Sequence, residues 1–353
     1  PDQPKESLPP GELTVLTSAG APPIAPKDSS LPSTGRRLAY ARHLTDGKHP
    51  LTARVLVNRV WMHHFGRGIV GTPGDFGSLG EKPTHPELLD WLADEFVRGG
   101  WKLKRLHKLM LMSSAWQQSS VRNAAGEAAD PDNRLLWRMN VRRLEAEAIR
   151  DAILAASGKL NPKLSGPPVP VMEDDVGQYV VGIENKNGEG RPDGIIPLHG
   201  EEYRRSVYVQ VRRSRPLGVL SPFDLPAMEP NCVLRPASTV APQSLLMMNN
   251  EFTLAQSQEC AARITAQAGA EPAAQTALAW RIMLGREATA DEQARAVAFL
   301  AAQTESFAKA PAAPLAQGTA PPSAAELQAA HQKQALALLC QALLSSNEFL
   351  YVD

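Results

Sequence analysis

The chain has 353 residues, 43% of them hydrophobic and 21% charged, with 37 basic against 37 acidic side chains. Zero formal net charge argues against a dedicated nucleic-acid or anionic-membrane binder, and no apolar run approaches the ~20 residues that a membrane helix needs. A chain this long buries roughly 75% of its unfolded surface, which suits two domains or one domain with a satellite.

Residues 1–32 are rich in Pro, Ser and Gly and read as a linker or N-terminal arm. The opening Pro1-Asp2-Gln3-Pro4 lacks an initiator Met and reads as the tail of a longer protein, so a missing export signal carries little weight. The domain proper is expected over 33–353, with a helical core at 33–158, a loop and small β region at 159–240, and C-terminal helices at 241–353.

From Arg36 the signals are helical. Leu38, Ala41 and Leu44 form one stripe, ending at Asp46-Gly47. The next helix, 51–65, is apolar on several sides through Val55, Leu56, Val57, Val60, Trp61 and Phe65, so it reads as interior, and Gly66 closes it. After the glycine-rich loop 66–83, Thr84 and Glu87 have the spacing of a capping box that opens another helix with Leu88, Leu89, Leu92 and Phe96 inward. Further helices are expected at 102–114 and within Val141–Ser157, where Arg143 and Glu147 stand four apart. Prolines and glycines over 159–200 imply long irregular connections. Val180-Val181 and Ser206–Val211 are the two strand signals and predict a small hairpin or sheet. Helices resume near Pro242, with capping boxes at Thr289/Glu292 and Ser323/Glu326. Between the last two, 308–322 reads as a flexible Ala/Pro loop. The expected class is mainly α: an irregular helical domain with long loops and a small β element.

The charge is uneven. Residues 33–158 hold 19 Lys/Arg against 13 Asp/Glu, or +6, and residues 251–353 hold 6 against 10, or −4. The basic stretch Lys102, Lys104, Arg105, Lys108 raises nucleic acid, but only one helix is basic and no recognised binding motif surrounds it.

The densest polar group lies between Asn58 and Glu87. Asn58 and Arg59 on an interior helix require partners, because an unpaired buried charge or amide costs several kcal/mol; Asp75 and then Glu87 are the expected carboxylates for Arg59. Asn58, Arg59, His64, Asp75, His85 and Glu87 form the candidate polar cluster or ligand site. Asp75-Phe76-Gly77 occurs in kinases, but no phosphate loop or His-Arg-Asp accompanies it. His85-x-Glu87 has a deaminase look without the following Pro-Cys-x-x-Cys. The remaining histidines lack metal-ligand spacing, so no metal site is assigned. Cys232, Cys260 and Cys340 show neither Cys-x-x-Cys nor Cys-x-x-Cys-His spacing, which excludes covalent haem within this chain and leaves at most one Cys232–Cys260 bridge.

Several runs carry a family resemblance. They are Leu51-Thr-Ala-Arg-Val-Leu-Val-Asn-Arg-Val-Trp61, Phe65-Gly-Arg-Gly68, Thr84-His-Pro-Glu-Leu-Leu-Asp-Trp91, Arg142-Arg-Leu-Glu-Ala-Glu-Ala-Ile-Arg-Asp151, Arg204-Arg-Ser-Val-Tyr208 and Cys232-Val-Leu-Arg-Pro-Ala-Ser-Thr239. The chain thereby resembles, over roughly 33–353, a C-terminal domain of unknown function found in large planctomycete-type surface proteins with an upstream c-type cytochrome module. The resemblance implies export to the periplasm or cell surface and upstream domains of the same polypeptide as partners. It places haem c only in such an upstream domain, with no cofactor in this chain. It supplies no catalytic residues. The expected role is an accessory binding or docking module, with polysaccharide as a ligand class and polysaccharide breakdown as its setting. The alternative is an uncharacterised hydrolase or oxidoreductase with its site in region 58–87.

Overall fold

The computed structural model describes residues 16, 30, 32–174, 176–188, 193–194, 196–213, 216–226, 232–311 and 322–352. Most of the 1–32 arm and residues 312–321 of the Ala/Pro loop lie outside them. Among the described residues there are thirteen α-helices and two two-stranded antiparallel sheets, joined by long loops: a mainly α protein. The chain parts into two compact units between Val141 and Arg142.

The first unit carries α1 (Arg36–Thr45), α2 (Thr52–Phe65), α3 (Pro86–Arg98), α4 (Leu103–Leu111), α5 (Ser114–Gln117) and α6 (Ala124–Ala129). Its core joins Val57, Trp61 and Phe65 of α2 to Leu89, Leu92 and Phe96 of α3 and Leu106 and Met110 of α4. Trp61 and Phe65, four apart and therefore on one face, stack with ring centroids 4.0 Å apart. Gly66 takes φ +84° and ends α2, a conformation that a side chain resists.

Two expectations fail in this unit. α2 is buried or half-buried around most of its surface, but the stripe that carries Arg59 and His63 is exposed. The Thr84–Glu87 capping box does not form: α3 starts at Pro86 with His85 as its N-cap and no side-chain cap bond. Proline keeps the preceding residue out of helical geometry, and the Thr84 amide and hydroxyl instead reach back to the Ile69 carbonyl at 2.9 and 3.3 Å.

The second unit opens with β1 (Arg142–Arg143) and α7 (Ala146–Ser157). The sequence grouping at 33–158 had placed that helix with the front half. There follow β2 (Val171–Glu173), β3 (Tyr179–Val181), α8 (Ala241–Asn249), α9 (Glu251–Ala268), α10 (Pro272–Leu284), α11 (Ala290–Lys309), α12 (Ala324–Leu344), α13 (Asn347–Leu350) and β4 (Tyr351–Val352). β3 falls on the Val180-Val181 strand signal, but its hairpin partner is β2, which the sequence reading did not mark as a strand, and β1 pairs with β4 through Arg142↔Val352 and Arg143↔Tyr351. Core side chains from α7, α9, α10 and α12, among them Ile153, Cys260, Ile264, Trp280, Leu336 and Leu344, form one cluster. Burying one such aliphatic side chain contributes about 1.5–3 kcal/mol.

Both late capping boxes form: Thr289 and Ser323 accept from the backbone N–H of Glu292 and Glu326, and each glutamate returns a bond to the cap's own N–H. The expected strand at 206–211 is a 3-10 turn (Ser206–Tyr208) followed by a single bridge, Val169↔Val209. The reason is a distant side chain. Ser206 gives its N–H and its hydroxyl to Asp151 Oδ1 at 2.7 and 2.8 Å, which curls the chain away from a ladder.

Candidate functional site

The proposed 58–87 cluster separates into independent local roles. Asn58 is fully buried; its Nδ2 donates to the Val70 carbonyl at 3.0 Å and its Oδ1 accepts from the Val70 N–H at 2.8 Å. One amide thus pins the loop that leaves α2, as a neutral buried group with both ends satisfied. Gly68 is required beside it, since a Cβ there would come within 2.4 Å of the Val70 carbonyl and within 2.7 Å of the Asn58 amide. Asp75 is exposed and folds its own turn by accepting from the Gly77 N–H at 2.7 Å. His85 is half-buried with Nδ1 2.9 Å from the Thr84 hydroxyl, and Glu87 is exposed.

Arg59 corrects the sequence reading most sharply. It meets neither Asp75 nor Glu87 and makes no ion pair among the described residues, because its face of α2 looks to solvent. Several other arginines of this unit do pair on the surface, among them Arg54 with Asp90 and Arg67 with Glu81, both at 2.7 Å. His64 is half-buried, with Nε2 2.8 Å from His107 Nδ1 and its ring edge-on to Trp116 at 5.2 Å. That pair ties α2 to α4.

The second unit holds a partly open cavity of ≈780 Å³, within the size range of ligand sites. Its walls come from the β2–β3 hairpin, the 202–203 turn, Leu217 and Val219, and the junction of α8 and α9 at Asn249-Asn250-Glu251-Phe252. Arg150 forms part of the wall and anchors the architecture. It is 2% exposed, and its guanidinium donates to the carbonyls of Glu202 and Arg204 at 2.7 and 2.9 Å and to the Ser206 hydroxyl at 3.2 Å. Burial pulls its pKa down to about 10 while Asp151 pushes it up, so the group stays charged at neutral pH.

Two further arginines hold the surrounding loops. Arg204, with no exposed surface, donates to the carbonyls of Lys163, Ser165 and Pro167 and to Glu201, and lies 4.1 Å over the Tyr208 ring. Arg143 binds Asp224 at 2.6 Å instead of Glu147, which takes Arg235 in a two-pronged pair at 2.7 and 3.1 Å. The Arg142–Asp151 and Arg204–Tyr208 runs therefore meet: they build the frame of the cavity.

Within that frame some polar groups are engaged and some are not. Asp174 Oδ1 accepts from the N–H groups of Val176 and Gln178, closing the hairpin turn, and Glu202 accepts from the Gly200 N–H. The side chains of Gln178, Asn249 and Glu251 make no hydrogen bond or ion pair among the described residues, though all three line the cavity beside Tyr179, Tyr203 and Phe252. The sequence reading did not single these residues out. The available signal was Asn249-Asn250 between two helices, where Asn250 caps α9 through the Phe252 N–H at 3.0 Å.

The three cysteines are free, Cys260 and Cys340 being fully buried. No group of three metal-ligating side chains occurs among the described residues. Among the described residues no helix is long and apolar enough to cross a membrane.

No curated protein and no solved structure matches the chain. A family model does, over residues 36–300: PSD1, a protein of unknown function (DUF1553). That span reaches into both units and includes every motif run between Leu51 and Thr239 quoted above, and the chain belongs to this family of unknown function.

Proposed function

We propose that the chain is an accessory, non-catalytic binding module, and that its ligand site is the cavity of the second unit. The observation that carries this reading is the division of labour among the lining groups. Arg150, Asp174 and Glu202 are tied into the frame, while Gln178, Asn249 and Glu251 are exposed and make no side-chain bond among the described residues beside three aromatic rings. A rigid frame with a few unpaired polar groups on an apolar wall suits recognition. No serine, threonine or cysteine stands among the described residues that line the cavity. The family resemblance supports an exported parent polypeptide in which a c-type cytochrome module lies upstream, so haem belongs to that module and this chain works without a cofactor.

The test is binding by the purified chain, read by isothermal titration against a panel of soluble oligosaccharides, together with Asn249→Ala and Tyr203→Ala. Saturable binding that both substitutions weaken by about tenfold or more supports the reading. Binding that ignores both substitutions moves the site elsewhere, and turnover of any panel member would make the chain an enzyme. An absorption spectrum after expression with haem supply tests the cofactor statement: a Soret band that survives desalting overturns it.

A further inference from the structure

Resting on that reading of the cavity, we infer that it selects neutral glycan chains and disfavours polyanionic ones. The lining carries three carboxylates, Asp174, Glu202 and Glu251, against one guanidinium, Arg150. Arg150 offers an incoming anion little, because its two terminal nitrogens already donate to the carbonyls of Glu202 and Arg204 and to Ser206. Among the described residues Asp174 and Glu202 each accept only from backbone N–H groups and pair with no cation, and Glu251 has no partner. A uronate or sulfate ester entering here meets like charge and finds no free cation among the described lining residues, and recognition of such groups ordinarily relies on arginine forks.

The remaining lining suits a neutral sugar. Amides such as those of Gln178 and Asn249 both donate and accept, which matches the hydroxyl groups of a sugar ring. Tyr179, Tyr203 and Phe252 provide ring surface with an apolar body, and the two tyrosines add a polar tip. Val180, Val181, Leu217 and Val219 complete an apolar wall against which the C–H face of a sugar can lie.

The test uses the intact chain, with titration calorimetry against cellohexaose, laminarihexaose and mannohexaose as neutral probes and hexagalacturonate as the anionic one, at low and at physiological salt. At least one neutral hexamer is expected to bind at least about tenfold more tightly than hexagalacturonate, which is what two or three unscreened like charges at close range produce. That ratio should shrink as salt rises, since screening acts on the repulsion alone. Glu251→Gln should shrink it by about two- to threefold, with circular dichroism confirming an intact fold. Hexagalacturonate binding as tightly as every neutral hexamer, or more tightly, overturns the charge selection and leaves the binding module standing. Failure of all four probes to bind overturns both.

Discussion

The two units fix their irregular chain by different chemistry. In the first, one neutral amide, Asn58, holds the loop after α2, and Gly68 lets the backbone come close enough to be held. In the second, arginines do the equivalent work over a much longer stretch: Arg150 and Arg204 between them bind five backbone carbonyls between Lys163 and Arg204, and Arg143 binds Asp224. An amide reaches one peptide group on each side. A guanidinium carries five donors in a planar fork and gathers several carbonyls at once. The difference teaches why the cavity lies where it does: loops too long to be held by a ladder are held by buried charge, and the space that they enclose becomes a site. The amide is the cheaper device, since burying an ion costs several kcal/mol before any bond is made.

The largest expected effect follows from removing one such ion's bonds. Arg204→Met should destabilise the second unit by about 3–5 kcal/mol, because four acceptors around a fully buried position lose their donor. Arg204→Lys should recover little of it, an ammonium being unable to span the same fork. Hydrogen exchange by mass spectrometry would locate the loss. Faster exchange at 161–170 and 200–209 with α2 and α3 unchanged is the expected result. Uniform acceleration in both units would mean that their loops are not independently held.

Asn58 gives a smaller and more informative break. Asn58→Asp keeps the acceptor for the Val70 N–H but turns a carboxylate oxygen toward the Val70 carbonyl, and a buried group left so costs about 1–3 kcal/mol at neutral pH. The introduced carboxyl is forced toward its protonated form, so its pKa in the folded state lies above that in the unfolded state. A raised folded pKa contributes stability below the unfolded pKa and loses it as pH rises through the folded value. The variant should therefore approach wild type as pH falls from 7 toward 4. A pH-independent deficit in urea denaturation would show that the donor to Val70 matters less than the fit.

Acid acts on the native chain in the opposite sense. Asp224 titrates below the usual aspartate range: burial alone would raise it, but the Ser238 N–H and hydroxyl and the Arg143 guanidinium lower it further. Glu147 likewise ends below its usual range, burial being outweighed by the Arg235 pair and its backbone bond. Depressed folded pKa values contribute stability above the unfolded values and lose it as pH falls through the folded ones. Below about pH 4 the contacts of Asp224 with Ser238 and Arg143 should open first. The corresponding group in the first unit, Asp90, is lowered mainly by its hydrogen bond from Arg54 on an exposed surface, and exposed pairs contribute little. Exchange rates that rise equally around Asp90 and Asp224 on acidification would erase the contrast between the units.

How much of this was legible in the sequence depends on the range of the interaction. Helix periodicity, Gly66, the boxes at Thr289 and Ser323 and the strand at Val180-Val181 are local signals, and all were readable, although the partner of that strand at 171–173 was not. Thr84 shows the limit even there: its spacing to Glu87 is right, but Pro86 and the Ile69 carbonyl, 15 residues away, decide the outcome. The arginine frame was not readable, since Arg150 meets carbonyls more than 50 residues on, and carbonyls carry no sequence signal. Ser206–Val211 looks like a strand because its alternation is good, and Asp151 overrides it. The cavity-lining residues were missed for the same reason, as Gln178, Tyr203 and Asn249 are unremarkable until the frame brings them together.

Arg59 marks the smallest expected effect and the cleanest check on α2. Read as part of an interior helix it needs a carboxylate, and its loss would then cost as much as a buried pair. On the exposed face it has water for a partner, and substitutions at such positions usually stay within about 0.5 kcal/mol. Arg59→Met should leave the melting temperature nearly unchanged, and Arg59→Ala likewise, since neither removes a bond made in the folded chain. Set beside Arg204→Met, the pair measures what the environment adds to one side chain: the same chemical deletion, near zero on α2 and several kcal/mol in the frame of the cavity. A sharp fall in melting temperature for Arg59→Met would restore the carboxylate pairing and require the faces of α2 to be reassigned.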